Sequence, residues 1–328
     1  MAAYGLPEKV FNEQAYPEGR SLMRLRCLPA ALIGLLIAPF CLADDVMQSD
    51  VNGPSQLSAS NAHTMSGQIA YATRSNEGAG KTVYQVKLLD VKDGTTRVAT
   101  SANHIVMSPR LSPDGRKIAF SRFEGSDSDI IILTLATGEE QRIASKPHLN
   151  GAAAWSPDGT RIAYANSAGG KTDIYIINLQ NGKTEQLTDA TSINTEPAWA
   201  PDGQSIAFTS DRNGRPQIFV ERLVDRSVNA VSAEDLLAYS PKYSLDGKSL
   251  VFSGRNKEGY KIYLVGLADD SISSISPGPM DMNPDFSPDG QYLVYSSSGR
   301  LVLSSANGAQ SRELTNDEAR EPSWSPMP

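Results

Sequence analysis

The chain has 328 residues, 40% of them hydrophobic and 20% charged, with a formal net charge of −7. That is enough apolar material for a sizeable core, and the acidic balance without any basic tract argues against a nucleic-acid binder, which needs clustered Lys and Arg. Two cysteines and three histidines leave little room for thiol or imidazole chemistry.

Residues 1–22 are polar, and Met23-Arg24-Leu25-Arg26 then opens a short basic start followed by an apolar run from Leu28 to Leu42. A basic start, an apolar stretch of about 15 residues and small residues before Asp44 read as a secretory signal cleaved after Ala43, with the natural start at Met23. Pro29, Gly34 and Pro39 interrupt a run already short for a membrane span, so an uncleaved anchor is the weaker alternative. Phe40 directly before Cys41 argues against a lipoprotein signal. Cys27 and Cys41 both fall in this segment, so the mature product has no cysteine for a disulfide, a thiol nucleophile or a zinc ligand. Residues 44–66, rich in Ser, Asn, Ala and Gln, read as a flexible lead-in to a domain over 67–328.

From there the sequence repeats. Asp-Gly pairs at Asp114, Asp158, Asp202, Asp246 and Asp289 recur about every 44 residues. Each stands in a frame: Pro109-Arg-Leu-Ser-Pro-Asp-Gly, Ala153-Ala-Trp-Ser-Pro-Asp-Gly, Pro197-Ala-Trp-Ala-Pro-Asp-Gly, Pro241-Lys-Tyr-Ser-Leu-Asp-Gly and Pro284-Asp-Phe-Ser-Pro-Asp-Gly, with Pro322-Ser-Trp-Ser-Pro326 at the end. The frame predicts a strand bearing one large side chain, a tight turn whose Gly takes positive φ, and a second strand such as Lys117–Ser121 or Ser205–Thr209. A third strand follows, as at Asp173–Ile177, and a fourth, as at Thr184–Thr188. Four strands per repeat is the arithmetic of a propeller blade. Only three strands precede the first frame, near 68–72, 83–88 and 95–99, and one follows the fifth blade. The expectation is an all-β, six-bladed β-propeller closed by the C-terminal strand at Trp324 joining N-terminal strands near Ile69, which removes open edges.

The stretch Asn194-Thr-Glu-Pro-Ala-Trp-Ala-Pro-Asp-Gly-Gln-Ser-Ile-Ala-Phe-Thr-Ser-Asp-Arg-Asn-Gly-Arg-Pro-Gln-Ile-Phe219 resembles the propeller of the TolB family, the periplasmic component of the Tol-Pal envelope system. Glu321-Pro-Ser-Trp-Ser-Pro326 is similar to that family's closing strand, and the resemblance runs over about 67–328. The Pro-Asp-Gly frame is shared by many WD40-like propellers; Thr209-Ser-Asp-Arg-Asn-Gly-Arg-Pro-Gln-Ile218 is more telling. The family also carries an N-terminal α/β domain, which residues 44–66 are too short to encode. The resemblance therefore implies binding of the peptidoglycan-associated lipoprotein Pal more than contact with TolA.

No Gly-x-Ser-x-Gly, Walker loop or His-Glu-x-x-His occurs, so no catalytic residue is assigned and no cofactor is expected. His104 and His148 occupy equivalent loops of neighbouring blades at one mouth of the ring. Imidazoles on adjacent blades could share a divalent ion, but the next equivalent positions are Ser192, Leu236 and Pro279, so the two histidines read as loop or partner contacts and no metal site is assigned. Inner strands carry Ser108, Ala152, Glu196, Ser240, Asn283 and Glu321 and, two positions on, Arg110, Ala154, Ala198, Lys242, Asp285 and Ser323, a polar mixed-charge wall for the channel. The loops entering the inner strands match the family's Pal-facing mouth, which implies His148, Asn194, Thr195 and Glu196 as partner contacts; His104, from the equivalent loop of the neighbouring blade, and Glu321, from the channel wall, complete the candidate set. Leu111, Trp155, Trp199, Tyr243, Phe286 and Trp324 are read as inter-blade packing, and Asp129 and Asp173 as turn-satisfying side chains. The function expected is non-enzymatic binding of Pal or a similar envelope protein by a periplasmic monomer, without nucleic acid and with only indirect membrane contact. The alternatives are a metal-assisted polysaccharide lyase or hydrolase, and a stand-alone scaffold or sensor with an unrelated partner.

Overall fold

The five Asp-Gly turns of the repeated frame set the framework, because each closes a hairpin at fixed spacing. The Gly N–H donates back to the carbonyl three residues earlier at 2.9 Å in all five, and the five Gly residues sit at φ of 68° to 71°, where an L side chain is disfavoured. In four turns a Ser hydroxyl also bonds the Asp carboxylate, from Ser112, Ser156, Ser244 and Ser287.

The computed structural model describes residues 65–328 except 78–80, 145–147, 168–170 and 190, together with the strand Ser55–Gln56. The expected signal segment and the cleavage after Ala43 lie outside the described residues. Within them the chain forms six sheets, antiparallel except where Ser55–Gln56 joins one of them. The first blade is Ile105–Leu111, Lys117–Glu124, Asp127–Thr134 and Glu140–Ala144; the second is Asn150–Trp155, Arg161–Asn166, Asp173–Asn178 and Thr184–Gln186. The third is Asn194–Trp199, Ser205–Ser210, Gln217–Arg222 and Val228–Ala230; the fourth is Leu237–Tyr243, Ser249–Asn256, Gly259–Gly266 and Ile272–Ser274. The fifth is Asp281–Phe286, Tyr292–Ser297, Arg300–Ser305 and Gln310–Glu313. The sixth is composite: the C-terminal strand Arg320–Ser325 pairs with Gln68–Glu77, which leads on to Lys81–Asp90 and Thr96–Val98.

Ring closure is as the repeat requires, with Trp324 opposite Ile69 in register. The N-terminal strands run longer than the apolar pattern marked, since Gln68–Glu77 and Lys81–Asp90 continue pairing through polar residues as far as Glu77 opposite Lys81. Part of the lead-in is also engaged: Ser55–Gln56 adds in parallel to Gln310–Ser311, covering the open outer edge of the fifth blade.

The apolar core is divided among the seams. Six buried clusters each span two adjacent blades; one joins Ile118 and Phe120 of the first blade to Val86 and Leu88 of the sixth, and another joins Ile174 and Ile176 to Ile206 and Phe208. Each blade is thus a two-faced sheet whose apolar faces are covered only by its neighbours, so the ring is stable only when complete. The repeated large residues sit in these seams. Trp155 Nε1 donates to Arg110 O at 3.0 Å and Trp199 Nε1 to Ala154 O at 3.2 Å, each bond crossing to the preceding blade. The closing seam is tight: a Cβ on Gly115 would collide with the Pro326 carbonyl, while Ser325 Oγ donates to Ser112 O at 3.1 Å.

Candidate functional site

Every inner strand carries the same irregularity. Its register against the second strand slips by a β-bulge, and the first bulged residue is left-handed: Ser108, Ala152, Glu196, Ser240, Asn283 and Glu321 have φ between 51° and 54°. None is glycine, so all six carry backbone strain, and repetition in every blade marks the bulge as a built feature of the bore. The bulge re-aims the chain so that one ring of side chains lies at its level and a second ring two residues further on.

Side chains of the first ring stitch blades together. Glu321 accepts from Ser108 N at 2.6 Å and Ser108 Oγ at 3.3 Å, joining the sixth blade to the first. Glu196 does the same between the third and fourth, accepting from Ser240 N at 2.9 Å and Ser240 Oγ at 2.5 Å, and it also accepts from Thr209 Oγ1 at 2.9 Å. Asn283 Nδ2 donates to Ser240 Oγ at 3.1 Å. Burial raises the Glu321 carboxyl above its ordinary range, while Arg110 and the bonds from Ser108 act against that shift.

The second ring is built differently. Asp285 Oδ2 accepts from Trp324 N at 2.9 Å and Ser323 Oγ from Leu111 N at 3.0 Å, so these two also bind the next blade. Ala154 and Ala198 have nothing to offer, and Arg110 and Lys242 can only donate. Arg110 Nη1 reaches the carbonyls of Pro109 at 2.8 Å and Glu321 at 3.3 Å. Among the described residues neither Arg110 nor Lys242 belongs to an ion pair. Desolvation pushes the Lys242 amine down to about 8; Arg110 adds to this by repulsion, and Asp285 and Glu196 oppose it.

At the rim, the loops entering the inner strands are held from below. Asp127 Oδ1 accepts from His148 N at 2.9 Å, and Asp211 Oδ1 from Ile193 N at 2.7 Å. Arg212 stacks on Phe208 and Phe219, with its guanidinium carbon 5.0 Å and 4.6 Å from the ring centres, and donates from Nη2 to Asn194 Oδ1 at 3.1 Å. Asp173 Oδ1 accepts from Thr188 Oγ1 at 2.8 Å and from Asn194 Nδ2 at 3.2 Å. The Asp-Arg of the telling string thus fastens the loop that begins the third blade, a role not read from the sequence although the residues lay within the quoted string.

The residues expected at the mouth therefore separate into three kinds. His104 and His148 are exposed, and His148 is held at φ 101°. Asn194 and Thr195 are fully buried, and the Thr195 hydroxyl meets no hydrogen-bonding group; these two shape the loop from inside. Glu196 and Glu321 line the bore, half-buried and bound to the next blade. Among the described residues no three His, Cys, Asp or Glu side chains are grouped to hold a metal ion. Asp129 pairs with Arg142 at 3.1 Å.

The model of the TolB β-propeller domain, PD40, matches residues 59–328. The chain belongs to this family. An 84-residue stretch is 38% identical to the Tol-Pal system protein TolB of Methylococcus capsulatus and covers 26% of this chain and 20% of that protein. The TolB of Shigella flexneri is 37% identical over a stretch of the same length, covering 19% of that protein, so the aligned part spans about a fifth of these relatives. The crystal structure of TolB from Acinetobacter baumannii superposes with a TM-score of 0.73 at 30% identity, covering 79% of this chain and 67% of that one. An oligogalacturonate lyase in complex with manganese shares the architecture at 14% identity, with a TM-score of 0.52 and 76% and 85% coverage. At that identity the likeness shows the fold alone.

Proposed function

We propose that this TolB-family propeller is a non-enzymatic docking module of the periplasm, reached through a cleaved signal, whose inner-strand rim receives Pal or a similar envelope protein. The observation that carries the reading is the rim itself. Asp127, Asp173 and the Asp211-Arg212 pair hold its loops in one conformation while His104 and His148 stand exposed on neighbouring blades. A preformed rim loses little entropy on docking. The name shared by the relatives, Tol-Pal system protein TolB, supplies the partner class. In this reading His104 and His148 touch the partner, Asn194 and Thr195 set the loop beneath it, and Glu196 and Glu321 form the polar wall below the mouth.

The test is calorimetric titration of the exported propeller with the soluble domain of a Pal protein. His104→Glu and His148→Glu should each weaken binding tenfold or more, whereas Leu245→Glu, at an exposed turn away from the rim, should leave it unchanged. Failure of the unaltered propeller to bind Pal, or an equal response of rim and turn variants, would overturn the reading and favour an unrelated partner. A stoichiometric metal lost in His148→Ala would instead favour the lyase alternative.

A further inference from the structure

In a six-membered ring ordered along the chain, blades three apart face each other across the bore. Glu196 and Glu321 belong to the third and sixth blades, so the two carboxylates of the first ring stand opposite one another. Arg110 and Lys242 belong to the first and fourth, so the two cations of the second ring also stand opposite one another. Both help line one cavity of about 220 Å³, with Trp155, Trp199, Tyr243 and Trp324 among its walls.

The anionic groups within reach are already engaged. Asp285 turns one oxygen to Trp324 N at 2.9 Å and the other to Phe286 N at 3.1 Å. Glu196 and Glu321 are each taken by the Ser of the next blade. Arg110 and Lys242 thus confront each other with neither in an ion pair, in a cavity large enough for a small polyatomic ion. Arg offers a planar set of donors and Lys a compact ammonium, which together suit the tetrahedral or planar oxygens of an anion.

We propose that the second ring of the bore is a binding site for a small oxyanion, held between Arg110 and Lys242 and walled by the seam tryptophans. Phosphate and carboxylate share this chemistry, and the two are separated by the probes. The purified propeller is titrated with inorganic phosphate, with acetate and with chloride at constant ionic strength, following thermal stability and calorimetric heat. A saturable rise in melting temperature with phosphate or acetate but not chloride is expected, and whichever of the two saturates at lower concentration names the class. Lys242→Met should weaken that binding at least tenfold, and Arg110→Gln should do the same through the opposite blade, so either variant suffices if the other does not fold. A response that is absent up to 10 mM, that chloride reproduces, or that persists unchanged in a folded variant would overturn the site.

Discussion

The two rings of the bore occupy equivalent positions in the same six strands, yet they solve the problem of burying charge in opposite ways. In the first, each carboxylate accepts from a backbone N–H and a hydroxyl of the next blade, so the charge becomes a staple across a seam. In the second, Arg110 and Lys242 have only donors, and the one carboxylate at that level, Asp285, is already bound to the N–H groups of Phe286 and Trp324. An acidic side chain at a bulge can close a ring, whereas a basic one at the next level costs stability unless something is brought to it.

The sharpest way to break this contrast is to remove a staple. Glu321→Ala leaves Ser108 N without its acceptor at the seam that also carries ring closure, and a loss of about 2 to 3 kcal/mol is expected in chemical denaturation. Glu321→Gln should recover part of that loss. Removing the opposite charge should have the reverse sign. Lys242→Met discards a desolvated ammonium beside Arg110 and should stabilise by about 1 kcal/mol at neutral pH in anion-free buffer.

The pH dependence follows from the same shifts. Lys242 falls from 10.5 to about 8 on folding, so the unfolded chain binds more protons between those values, and stability should rise with pH across that window. Lys242→Met should flatten that rise. Glu321 is raised on folding, so its contribution fades as pH increases from the unfolded value of 4.5, and melting of Glu321→Gln against the unaltered chain should show the difference.

Ala152 offers a smaller test, since it has the left-handed bulge but no side-chain bond to compensate. Ala152→Gly should stabilise by about 0.5 kcal/mol, the relieved strain exceeding the added freedom of the unfolded chain. The same change at Glu196 should destabilise, because the staple goes with the strain. Smallest of all is the contribution of the Asp158 carboxyl, held down to about 2 chiefly by the Ser156 hydroxyl. Its contribution is present above 3.8 and lost as pH falls toward 2, and Asp158→Asn should remove that acid limb of the melting curve.

Much of this was legible in the residues. The 44-residue frame fixed the number of blades and the pairing of Trp324 with Ile69, because tight turns and apolar strands repeat with a period the chain cannot hide. The large residues of the frame were readable as seam packing, although the indole bonds of Trp155 and Trp199 to the preceding blade depend on geometry that composition does not carry. Both rings were visible as positions, but not the bulge that separates them, since five of the six left-handed residues are polar or charged and the sixth is Ala; none is the Gly that would have signalled positive φ. At the rim, Asn194 and Thr195 looked like surface loop residues by type, yet both are buried, and Asn194 is held there by Arg212 and Asp173, which lie far from it in the sequence.

The docking account is tested most directly by hydrogen exchange of the propeller with and without the soluble domain of Pal. The predicted result is slowed exchange in the rim segments around 103–106, 148–151 and 192–196, with the five Asp-Gly turns unchanged. Protection confined to those turns, or to the outer strands, would contradict it.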